Sequence, residues 1–132
     1  MIFVQQAKEK IQNQLENYLR HDEIGMTKDQ YLRMCEQTGE EIDWDRCPPE
    51  IEDFPPIVLD AMNIFNSLGN RVYPDVGYTG KDFTNFNVFC KVYGIQEHQI
   101  DYLMELLLFL DSRSIEESNK QIKAAHDKIK NR

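Results

Sequence analysis

Apolar residues recur in steps of three and four along the first twenty positions: Val4, Ala7, Ile11, Leu15, Tyr18 and Leu19. That period predicts an amphipathic helix from Ile2 to about Arg20, with Gln, Asn, Lys and Glu on its wet face. Gly25 breaks it. Thr27-Lys28-Asp29-Gln30 then reads as a capping box that opens a short helix, burying Tyr31, Leu32 and Cys35 and ending at Gly39. Residues 40–56 lose all periodicity. Prolines at 48, 49, 55 and 56 forbid a helix or a central strand there, so the segment reads as an extended connector pinned by Trp44, Ile51 and Phe54.

Pro56 suits the first turn of a helix, and Ile57, Val58, Ala61, Met62, Ile64, Phe65 and Leu68 give it a wide apolar face that stops at Gly69-Asn70. Residues 71–82 are rich in turn formers and read as a loop. A helix follows over about 83–93, with Phe83, Phe86, Val88, Phe89, Val92 and Tyr93, until Gly94. A last helical tract starts near Glu97, with Ile100, Leu103, Met104, Leu107 and Leu110 as its core stripe. It runs on through Ile115, Ile122, Ala125 and Ile129. No stretch alternates as a half-buried strand does. The pattern predicts an all-α fold: a small helical bundle with an acidic, Pro-rich connector and a glycine-containing loop between core helices. The expected organisation is an N-terminal amphipathic helix (1–24), a helical core domain (25–112) and a C-terminal helical extension (113–132).

Charge sharpens one part of this picture. The 132 residues carry 23 acids and 15 bases, a formal net charge of −8. Residues 36–60 alone hold nine acids and one base, so the whole excess lies in the connector. A protein that reads nucleic acid needs a basic face, and none is expected here. A 41% hydrophobic share is enough to build a core. The apolar run Met1–Val4 is too short for a signal peptide, and Leu106–Leu110 is too short to span a bilayer, so no membrane association is expected. Cys35, Cys47 and Cys90 form no C-x-x-C pair and read as reduced cytoplasmic thiols.

Candidate chemistry is sparse. His21, His98 and His126 lie far apart, so no metal site is expected. Gly77-Tyr78-Thr79-Gly80-Lys81-Asp82 is not a phosphate loop: Asp75 stands where the first glycine belongs, and Asp82 replaces the Ser or Thr after the lysine. Glu40-Glu41 and Asp43-Asp45 could pair as catalytic carboxylates, but no nucleophile or oxyanion donor accompanies them. The expectation is no enzyme, no catalytic residue and no cofactor. In the loop, Gly77 and Gly80 allow left-handed backbone, and Asp82 or Thr84 can cap the next helix. Tyr73 and Tyr78 can cover the core while keeping a wet hydroxyl.

These same residues carry a resemblance. An apolar helix Val58–Leu68 with Ile64-Phe65, then Arg71, Gly77, Gly80-Lys81-Asp82-Phe83 and Tyr93-Gly94-Ile95, resembles small tail assembly chaperones of tailed bacteriophages. The stretch from Met34-Cys35-Glu36 to Glu52-Asp53-Phe54-Pro55 also looks like parts of small phage proteins. The likeness spans about residues 34–95; Gly69-Asn70 stands where the family has Gln-Trp, and the helix over 2–20 lies outside it. The resemblance implies a non-catalytic protein of the host cell cytoplasm that shields a tail or other virion protein during assembly. Contact residues are then expected at Tyr73, Tyr78, Lys81 and Phe83, and along the stripe Val4, Ile11, Leu15 and Tyr18, which also offers a homo-oligomer seam. An acidic inhibitor of a host nuclease or DNA-binding protein, and a structural virion component, are the rival readings.

Overall fold

The computed structural model describes the backbone of residues 2–130, with side chains from Val4 onward. The protein is mainly helical (69%), with five helices and one minor two-stranded hairpin among the described residues. Backbone contacts divide it into two compact units, Met1–Pro55 and Pro56–Arg132. The boundary between these units falls inside the Pro55-Pro56 pair. Ser112-Arg113-Ser114 carries no helix breaker, and one helix runs straight through it.

The first unit holds α1 (Ile2–Glu23) and α2 (Lys28–Thr38). The α1 helix stops where Gly25 turns left-handed (φ 73°) and Met26 N–H bonds back to His21 O at 2.9 Å. The capping box forms as the spacing predicts: Gln30 N–H donates to Thr27 Oγ1 (3.2 Å), and Thr27 N–H donates to Gln30 Oε1 (2.9 Å). Left-handed Gly39 ends α2. Leu15 and Cys35 are buried.

The connector is not merely extended. It folds back as a turn at 44–46 and a short 3-10 turn over Ile51–Asp53. Asn17 Nδ2 donates to Cys47 O at 3.1 Å, Phe54 meets Tyr18 edge-to-face at 5.8 Å, and Lys28 Nζ pairs with Asp53 Oδ2 at 3.3 Å. Cys47, Pro48 and Phe54 are buried, so they, rather than Trp44, pin the segment. Trp44 is 65% exposed.

The second unit holds α3 (Pro56–Ser67), β1 (Gly69–Tyr73), β2 (Gly77–Asp82), α4 (Phe86–Val92) and α5 (Ile100–Lys130). Its core is Val58, Ala61, Ile64 and Leu68 from the α3 side, Phe86 and Cys90 from α4, and Leu103, Leu106, Leu107 and Leu110 from α5. Each fully buried leucine contributes about 1.5–3 kcal/mol. Val88 and Val92 of α4, apolar though they are, are exposed. Their helix is two turns long and buries only one narrow stripe.

Residues 71–82 do not form an irregular loop. They build an antiparallel hairpin, with Gly69 opposite Asp82 and Tyr73 opposite Gly77, and a bulge at Arg71/Val72. Thr79 Oγ1 spans the bulge to Arg71 O at 2.9 Å. Asp75 (φ 67°) and Gly77 (φ 85°) supply the left-handed residues of the turn.

Candidate functional site

The hairpin packs its second strand on α5, and a buried carboxylate holds it there. Asp111 follows the apolar run Leu106–Leu110 and lies on the helix face that meets β2. Its Oδ1 accepts the Tyr78 hydroxyl at 2.6 Å and the Lys81 backbone N–H at 3.1 Å. Burial, then the nearby carboxylate, raises the Tyr78 phenol above its ordinary pKa. Hydrogen bonds to a charged group are the stronger kind, so this pair of donors fixes the strand on the helix.

Two glycines make the approach possible. A Cβ on Gly80 would sit 3.2 Å from Asp111 Oδ2, and its φ of 133° strains any L side chain. A Cβ on Gly77 would lie 2.5 Å from Ile122 Cδ1. The sequence G-Y-T-G-K-D is thus a docking strand, which accounts for its glycines without a phosphate. Lys81 reaches the other way. Its Nζ donates to Leu68 O at 3.3 Å, 4.5 Å from the Phe65 ring centroid, and desolvation lowers its pKa against the pull of Asp111. Asp82 accepts from Thr84 N–H at 2.9 Å and from its hydroxyl, tying the exit of the hairpin. That turn precedes α4, whose N-cap position, Asn85, makes no side-chain bond, so neither Asp82 nor Thr84 caps the helix itself.

The expected contact residues therefore separate. Tyr78 and Lys81 are committed inward, and Phe83 is half-buried. Tyr73 is 49% exposed, its hydroxyl accepting from Arg71 Nη2 at 3.3 Å. Beside it, Val72 and Val76 are 64% and 55% exposed. Tyr73, Gly77, Ile122, Ala125 and His126 rim a shallow depression of about 310 Å³ between the turn and α5. On α1, Leu15 is fully buried, Ile11 and Tyr18 are half-buried, and Val4 is open to solvent. The α1 stripe is thus largely covered, apart from Val4.

Val72, Val76 and Asp111 were not singled out by sequence reasoning, though signals for them exist. Val72 and Val76 are aliphatic residues in a turn-rich segment, and Asp111 stands one helical turn past Leu107 on an apolar face. In the first unit, Ile24 (71% exposed) and Met34 (42% exposed) join Met26 and Tyr31 around a second depression of about 660 Å³. Among the described residues, no three His, Cys, Asp or Glu side chains gather as a metal ion requires. The three cysteines are unpaired and buried, with burial pushing the Cys47 and Cys90 thiols up. No helix among the described residues is long and apolar enough to cross a membrane. The chain matches no protein-family model, no curated protein and no solved structure.

Proposed function

We propose that the protein binds and shields a tail or other virion protein of a tailed bacteriophage during assembly, in the host cytoplasm and without catalysing a reaction. The observation that supports this most is the hairpin. Its second strand is locked to α5 by Asp111, while Val72, Tyr73 and Val76 stay exposed beside the Ile122–Ala125 depression. A rigidly held aromatic and aliphatic patch is a natural protein-contact surface. The resemblance of residues 58–95 to tail assembly chaperones supplies the client class.

Co-expression with the tail protein encoded beside it tests the proposal. Soluble recovery of that protein should rise with the wild-type chain, fall with Val72→Asp, and survive washing at high salt, because apolar contact is little screened. A complex that dissolves as salt rises favours the acidic-inhibitor reading instead, and recovery of the protein in finished particles favours a virion component.

A further inference from the structure

A separate groove of about 760 Å³ lies wholly in the first unit, between α1 and the folded connector. Gln6, Asn13, Gln14 and Asn17 line one wall at helical spacing, with Glu9 and Lys10 on the turn between Gln6 and Asn13, so the α1 wall is four amides around one acid and one base. Trp44 and the Pro48-Pro49 pair form the other wall. Asn17 is used structurally, donating to Cys47 O, but Asn13 and Gln14 are exposed and Trp44 is 65% exposed. Among the charged residues of the lining, Lys28 pairs with Asp53, and Glu9 and Asp45 outnumber Lys10.

We infer that this groove takes an extended polypeptide segment bearing lysine or arginine. Four features point to that occupant. Side-chain amides both donate and accept, as does each peptide unit of an extended chain, so a row of them suits main-chain recognition. From Gln6 to Asn17 the helix rises about 17 Å, the span of about five extended residues. The unit around the groove carries thirteen acids against six bases, so its field attracts a basic segment and repels an acidic one. The exposed indole offers a flat face for a lysine stem or an arginine plane.

This site is independent of the hairpin patch, and its test uses no phage protein. Trp44 is the sole tryptophan, so its emission reports occupancy directly. The full chain is titrated with a blocked peptide of about eight residues alternating lysine and threonine. The glutamate–threonine counterpart and a soluble glucan oligosaccharide are titrated in parallel. The lysine peptide should shift the emission saturably and weaken between about 0.05 and 0.5 M salt. Its labelled form should bind Asn13→Ala and Gln14→Ala about five- to tenfold more weakly, while Tyr73→Ala leaves binding unchanged. Equal binding of the glutamate peptide, preference for the glucan, or indifference to both amide changes overturns the inference. None of these results bears on client shielding by the hairpin.

Discussion

Tyr73 and Tyr78 sit on the same hairpin and do opposite things. The Tyr78 hydroxyl is spent on Asp111, and the Tyr73 ring is left to solvent. Tyr78→Phe should cost about 1–3 kcal/mol, the usual loss for a bond to a charged acceptor. Asp111→Ala should cost more, since it leaves two donors without an acceptor. Gly80→Ala adds a strained backbone worth about 1–3 kcal/mol; thermal unfolding of the three variants checks the order. A different residue adds a small acid-sensitive contribution. The Asp53 carboxyl is held below its usual range by the Glu50 backbone N–H at 2.9 Å, and then by Lys28. A depressed carboxyl lends stability that is full above its unfolded value and is lost as pH falls through its folded one. Melting temperature followed downward from about pH 5 should therefore fall less steeply for Asp53→Asn than for wild type.

At the level of elements, α5 is the organiser. Its first half buries four leucines against the unit and its middle receives the hairpin, while beyond Ile122 every described side chain is exposed. Leu107→Ala should cost about 2–5 kcal/mol. Deleting residues 124–132 should leave the unfolding midpoint nearly unchanged, and denaturant titration separates the two. The helices were legible because each repeats its apolar residues at the helical period and carries its own punctuation, as in Thr27…Gln30 and Gly39. The hairpin was not. All five residues of β1 are exposed and β2 carries two glycines, so neither strand writes the alternation that marks a half-buried strand. The connector was legible in part: Phe54 pins it as its size suggests, but exposed Trp44 does not, and the hold of Asn17 on the Cys47 carbonyl leaves no mark in the apolar pattern.

For the molecule as a whole, the acidic excess and the hairpin patch lie in different units. Most of the acidic excess sits in Met1–Pro55, whereas Pro56–Arg132 has nine bases and ten acids and carries the hairpin patch. The proposed client shielding through the hairpin should thus tolerate salt, and any binding by the first unit should not. The hairpin half of the expected contact set was legible only as residue types: sequence brought Tyr73, Tyr78, Lys81 and Phe83 to one segment, but only packing on α5 shows which of them is free. The most direct measurement pairs melting temperature with client co-purification for Tyr73→Ala and Tyr78→Ala. Tyr78→Ala should lower the melting temperature, by about 4–8 °C for each kcal/mol lost. Tyr73→Ala should keep the wild-type melting temperature and lose the client. A Tyr73→Ala protein that melts as early as Tyr78→Ala, or that holds its client undiminished, contradicts the account.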